Sequence, residues 1–240
     1  MRGIILAAGK GSRLGSIIKN SHKSLIKINK TKNLLENIIK NFQENKINDI
    51  CIITGHNRNI FKKYKYKSFF NDCWDKSNMV YSLMKADTWL SKYSCIISYS
   101  DIFYENKAIE LLKKSEDKFA ILNNKNWHKS WTARYKNPLC DLESFKIDSH
   151  KNLTEIGNRE KKITNIQGQY MGLIKITPSI WKLIKKKIPE IKKMNNLSIT
   201  ELLNRLIKNN FKIRTIEYKK KWFEIDNKSD LKFFLKKIND

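Results

Sequence analysis

Short apolar runs alternate with stretches of helical period along the first half of the chain. Ile4, Ile5 and Leu6 form an unbroken apolar run that ends in glycines, the pattern of a buried strand closed by a turn. Leu34, Leu35, Ile38, Ile39 and Phe42 fall on one helical face. ICIIT, closed by Gly55, predicts a second buried strand. SNMVYSLMKADTWL predicts a helix over Ser77 to Leu90 with Val80, Leu83, Met84 and Leu90 inward. CIISYSD and KFAILN read as further strands, with helical AIELLKK between them. This alternation predicts right-handed βαβ units on a mostly parallel sheet.

The pattern changes near Trp131. WTARY, ESFKID and NLTEI alternate apolar and polar positions and predict an antiparallel insert around 125–175. GQYMGLIKIT, FKIRTIEY and WFEI read as strands. Pro178 can open the helix that follows it, because proline is tolerated in the first helical turn. Ser198 and Glu201 make a capping-box pattern, and DLKFFLKKI predicts a closing amphipathic helix. There is no internal repeat and no low-complexity tail, so residues 1–240 read as a single domain.

Composition supports a folded core: 240 residues, 40% of them apolar and 11% aromatic. The formal charge of +26 would attract polyanions, but Lys, Asn and Ile are abundant everywhere and no nucleic-acid recognition motif is present. Nucleic acid is therefore not the expected partner. Cys51, Cys73, Cys95 and Cys140 form no CxxC pair, and the histidines lack metal-ligand spacing, which fits a reduced cytoplasmic setting. No window reaches the roughly 18 apolar residues of a membrane span, and the first apolar run is cut by GKGSR, too early for a signal segment. The sequence leaves oligomeric state open, a homodimer included.

In open α/β sheets ligands bind beyond the carboxyl ends of the strands. The glycine loop LAAGKGSRL, Ser100-Asp101 and Ile225-Asp226 all stand at such predicted ends. The loop fails as a P-loop, because Lys10 is followed by Gly11 rather than Ser or Thr. It fails as a dinucleotide fingerprint as well, since Leu14 stands where the third glycine belongs. Ala7, Ala8 and Gly9 have little or no side chain and leave room for a base and ribose close to the backbone, with Leu6 before them as a further candidate nucleotide-binding residue. Gly9 and Gly11 can adopt unusual φ values and expose N–H groups to phosphate oxygens. Arg13 offers a planar fork, Lys23 in HKSLIKI a point charge, and Lys10 a second ammonium in reach of the outer phosphates.

LAAGKGSRL with HKSLIKI resembles the LAAGxGxRL…PK signature of nucleotidyltransferases that activate sugar phosphates and phospho-alcohols, with His22 in place of the proline. SNMVYSL, SYSDIFY and WFEIDNKSDL are similar to segments of bacterial phosphocholine and aminoethylphosphonate cytidylyltransferases, so the resemblance spans the chain. It implies a Rossmann-like, mostly parallel mixed sheet flanked by helices, of the nucleotide-diphospho-sugar transferase type. It implies a Mg²⁺ site on Asp101 and Asp226, and CTP as the nucleotide, with Asn78 and Ser82 as hydrogen-bonding partners. The implied reaction is attack of a phosphate or phosphonate oxygen on the α-phosphorus, activating a head group for a surface glycan or lipid.

Both reactants are anionic, so Lys23 and Arg13 are the candidate catalytic groups, and no dedicated base is required. The stretch from Trp127 to Phe145 holds Trp131, Arg134 and Tyr135, joined in the family layout by Gln169 and Tyr170. Aromatic rings suit an ammonium head group and Arg134 an acceptor oxygen; packing of the insert explains the same residues equally well. Two other readings stay open. One is a sugar-1-phosphate nucleotidyltransferase using another NTP; the other is a non-catalytic nucleotide- or polyanion-binding module, which leaves the paired aspartates unexplained.

Overall fold

The computed structural model describes residues 1–19, 21–134, 137–140, 142–187 and 196–238. Its centre is a seven-stranded sheet in the order β10-β6-β9-β4-β1-β2-β3. β1 (Arg2–Ala7), β2 (Ile50–Thr54), β3 (Lys67–Phe70) and β4 (Cys95–Tyr99) are mutually parallel. β6 (Phe119–Asn124) and β10 (Arg214–Tyr218) form a second parallel pair. β9 (Gln169–Ile176) runs antiparallel between β4 and β6 and makes the sheet mixed. β1, β2 and β4 are buried along nearly their whole length, as continuous apolar runs require when helices cover both faces.

The helices follow their periodicity closely. α1 (Leu34–Glu44) buries Leu34, Leu35, Ile38, Ile39 and Phe42, and Asn33 and Glu36 close a reciprocal cap at its start. α4 (Lys107–Lys114) covers the sheet between β5 (Ile102–Tyr104) and β6. α6 (Pro178–Lys187) begins at its proline, and α7 (Ile199–Lys208) carries the Ser198–Glu201 cap. α8 (Lys228–Lys237) is capped by the side chain of Asn227.

Three local expectations are corrected. Trp131–Arg134, the start of WTARY, is not a strand: it ends α5 (Trp127–Arg134). Trp127, Trp131 and Arg134 stand at i, i+4 and i+7, a helical spacing that becomes visible only when the window is extended towards the N-terminus. The helix expected over Ser77 to Leu90 is two, α2 (Met79–Met84) and α3 (Asp87–Leu90), with Asn78 outside as the N-cap of the first. The chain turns at Ala86, and Asp87 is then tied to α6 through Trp181 Nε1 at 2.7 Å and Lys185 Nζ at 2.8 Å. Among the described residues of 125–175, antiparallel structure of the insert type is the hairpin of β7 (Glu143–Ile147) and β8 (Leu153–Arg159), since β9 is an inner strand of the main sheet.

A second two-stranded ladder brings distant acidic residues together. β5 pairs antiparallel with β11 (Trp222–Glu224), with Ile102 opposite Glu224 and the Ile225 amide donating to the Asp101 carbonyl at 3.0 Å. Around it Leu14, Ile18, Ile26, Ile28, Phe103, Ile225, Leu231 and Phe234 form a small apolar cluster separate from the main core. This cluster clamps the segment after the glycine loop onto α8.

Truncation of Ile97, fully buried at the centre of β4, should cost about 2–5 kcal/mol of stability. Urea unfolding of Ile97→Ala against the parent checks this.

Candidate active site

The glycine loop leaves β1 between two fixed surfaces. Gly11 lies at φ +67°, and a Cβ there would strike Ile18 at 2.8 Å, so only glycine suits the position. Gly9 needs no unusual φ; its virtue is the open space where a Cβ would stand. Behind the loop the His56 amide donates to the Ala8 carbonyl at 3.0 Å, and a side chain at Gly55 would meet that same oxygen at 2.5 Å. The loop's path is thereby tied to the end of β2.

His22 explains why a proline is not required before Lys23. Its φ of −136° is outside the range a proline ring can adopt. Its Nδ1 accepts the Ser24 amide at 3.1 Å and meets the Ser24 hydroxyl at 2.8 Å, while the ring packs edge-on against Phe61 and lies against the Gly9 backbone. Burial pushes this imidazole down to about 4, so it is neutral at physiological pH. A neutral ring beside Lys23 adds no further positive charge to the loop.

Three carboxylates meet at the mouth of the loop. Oxygens of Asp101, Glu224 and Asp226 lie within 4.8 Å of one another. Lys23 sits between two of them: its Nζ is 2.8 Å from Asp226 Oδ1 and bonded to Asp101 as well. Arg13 Nη1 reaches Asp226 Oδ2 at 2.9 Å. Burial alone would raise the Asp226 carboxyl, but the Lys23 and Arg13 charges outweigh it and hold it below the usual carboxylate range. Burial would likewise lower Lys23, yet Asp101 and Asp226 raise it well above an ordinary lysine. Asp226 is free to face the cleft because Asn227, not Asp226, caps α8; Asp230 accepts the Asp226 amide at 3.0 Å and fixes the turn. Oxygen-only donors of this kind suit a hard divalent cation.

Two cavities of about 330 Å³ each adjoin at this cluster. The first is lined by Leu6, Ala8, Gly9, Gly11, Asn78 and Ser82, together with Lys23 and Asp101. Ala7 is buried opposite Thr54 in the sheet and Lys10 is exposed; neither lines it. The second is lined by Trp131, Arg134, Gln169 and Tyr170. Arg13, Met79, Tyr99, Glu224 and Asp226 border both. Arg134 is held by Asp230 and lies 4.8 Å over the Trp131 ring, and Trp131 stacks on Trp222 with centroids 5.7 Å apart. Tyr135 lies outside the described residues. A larger cleft of about 830 Å³ opens where β6 and β10 begin, lined by Phe119 and Arg214. None of the three carboxylates borders it.

The fold and its loop match known proteins. Residues 3–153 match the MobA-like NTP transferase domain. The chain belongs to this NTP transferase family. A CTP:phosphoglutamine cytidylyltransferase of Campylobacter jejuni is 30% identical over 99% of this chain and 100% of its own length. A choline-phosphate cytidylyltransferase of Haemophilus influenzae is 33% identical over 55% of this chain and 56% of its own. Among solved structures, a CTP:phosphocholine cytidylyltransferase from Streptococcus pneumoniae superposes with TM-score 0.73 at 20% identity, covering 98% of this chain and 97% of its own. An inositol-1-phosphate CTP transferase from T. maritima gives 0.76 at 15% identity, covering 100% and 96%.

In this NTP transferase, Glu224 is the member of the carboxylate cluster that sequence reasoning missed, and Met79 and Tyr99 are unpredicted residues bordering both cavities. The signal was present in WFEID: on a strand, Trp222, Glu224 and Asp226 point to one side, so an acid two residues before Asp226 shares its direction.

The buried imidazole makes stability pH-dependent. Above about 6.5 His22 is neutral in folded and unfolded chain alike. Between there and about 4 the unfolded chain takes up a proton that the folded state refuses, so stability falls with falling pH. The loss between pH 7 and pH 5 should be about 2 kcal/mol and be absent from His22→Gln, as read from urea unfolding at the two pH values.

Proposed function

We propose that this protein is a Mg²⁺-dependent cytidylyltransferase: it transfers CMP from CTP to a phosphorylated or phosphonate acceptor and releases pyrophosphate. One observation carries the reading: two cavities share a wall made of Arg13, Glu224 and Asp226, so two anionic ligands can meet where the charges are concentrated. The triphosphate lies along Gly9 and Gly11 towards Lys23 and Arg13, with Leu6, Ala8, Asn78 and Ser82 around the nucleoside; Ala7 supports that surface from within the sheet. Lys10 reaches the outer phosphates from solvent. The acceptor lies on Trp131, Gln169 and Tyr170, with Arg134 beside its oxygens. An acceptor phosphate oxygen attacks the α-phosphorus, and the bond from that phosphorus to the bridging oxygen of the β-phosphate breaks. The acceptor is ionised near neutral pH, so the residues act by orientation and charge neutralisation rather than by removing a proton.

Asp101 and Asp226, with Glu224, would hold the divalent ion, which supplies neutralisation of phosphate charge. Lys23 now occupies the space between two of those carboxylates; once they are otherwise engaged, its ammonium is released towards the α-phosphate. The full-length similarity to a phosphoglutamine enzyme supports a phosphorylated amino acid as the acceptor, ahead of phosphocholine or 2-aminoethylphosphonate. The place of work we infer is the cytoplasm, feeding a head group to a surface glycan or lipid.

Two measurements test this. Pyrophosphate release with Mg²⁺, each NTP in turn and phosphoglutamine, phosphocholine, 2-aminoethylphosphonate and sugar-1-phosphates should require CTP and a non-sugar acceptor. Asp226→Asn should lower kcat by at least about 100-fold while the protein stays folded; release with UTP and a sugar phosphate instead would move the assignment. Separately, Mn²⁺ titration without nucleotide, followed by electron paramagnetic resonance, should show Lys23→Met binding the ion about tenfold more tightly than the parent. Weaker binding would mean that Lys23 supports the site rather than competing for it.

A further inference from the structure

Asn71 is 1% exposed and lies on no surface that substrate can touch. Its orientation is dictated by one neighbour. The Cys73 backbone N–H, 2.9 Å from Oδ1, can only donate, so the amide oxygen faces it and the NH₂ group faces the other way. That NH₂ donates to Ser77 Oγ at 3.0 Å and to Ser82 Oγ at 2.9 Å. The Asn71 backbone amide is itself bonded to Thr54 at the end of β2 at 2.8 Å, so the side chain is anchored to the sheet.

The consequence falls on Ser82. Its oxygen already receives an N–H from Asn71, and the nearest other partner is the Asn78 carbonyl at 3.5 Å, the outer limit of a hydrogen bond. The hydroxyl proton is therefore available to the nucleotide cavity, which Ser82 lines. Ser82 lines that cavity together with the uncharged Leu6 and Ala8, none of which borders the second cavity. The triphosphate belongs with the cations, which leaves the base for Ser82. A hydroxyl fixed as donor donates to N3 of cytosine and opposes the N3–H of uracil.

We propose that Asn71 is a positioning residue for pyrimidine selectivity: it holds the Ser82 hydroxyl as a donor to N3 of the base. This rests on the nucleotide site proposed above. Asn71→Asp is the informative change, because it is isosteric and reverses the polarity. A carboxylate accepts from the Cys73 amide and from both hydroxyls, so Ser82 turns its proton inward and shows the base a lone pair. Asn71→Ala leaves the Ser82 hydroxyl free to rotate and should weaken selectivity without reversing it.

Isothermal titration of CTP and UTP in Mg²⁺, without acceptor, reads this directly. The parent should prefer CTP, and the CTP:UTP affinity ratio should fall about tenfold or more in Asn71→Asp and by a smaller factor in Asn71→Ala. In a Ser82→Ala background, Asn71→Asp should leave the ratio unchanged, which a merely structural role would not predict. Should Asn71→Asp fail to fold by circular dichroism, Asn71→Ala and its Ser82→Ala pairing decide the matter. A preserved ratio in folded variants overturns the role of Asn71 and leaves the enzyme reading standing. A parent that binds no nucleotide at all overturns both.

Discussion

Three carboxylates drawn into one small volume repel each other, and most chains of this composition would keep them apart in water. Here the β5·β11 ladder holds them together, with Lys23 and Arg13 offsetting their charge. The pairing of Ile102 with Glu224 and the bond from the Ile225 amide to the Asp101 carbonyl set their separation through backbone alone. For Asp226 the cost of burying charge is met by pairing with Lys23 and Arg13. Without this ladder Asp226 would be an ordinary turn residue before a helix, and the two cavities would share no charged wall.

The remainder of the site is arranged around that ladder. The small apolar cluster of Leu14, Ile18, Phe103, Ile225 and Phe234 carries the residues after the glycine loop to the ladder, and with them Arg13 and Lys23. His22 and the Ala8–His56 bond shape the loop from behind without presenting charge to it. Asp230 does two things at once: it closes the cap of α8 beside Asp226 and it holds Arg134 at the edge of the second cavity. A single acidic residue thus links the geometry of the carboxylate cluster to that of the second cavity. The carboxylate cluster sits in a protein of formal charge +26.

What the amino-acid sequence determined by itself is local. Most strands and helices, the buried face of α1, the capping box at Ser198, and the glycine loop with its family follow from period, turn chemistry and motif spacing within windows of a dozen residues. Asp101 and Asp226 were legible as well, each inside a recognisable segment at a strand end. WTARY misled because its alternation fits a strand when read alone, while the helical face that Trp131 shares with Trp127 and Arg134 needs a longer window. Tertiary structure alone decided the rest: that β9 runs against its neighbours, that Glu224 joins the aspartates, that Lys23 bridges them, that Arg134 is answered by Asp230, and that Asn71 orients Ser82. Each of these joins residues by burial, side-chain hydrogen bonding or strand pairing, and a periodic pattern carries no information about which partner will stand opposite.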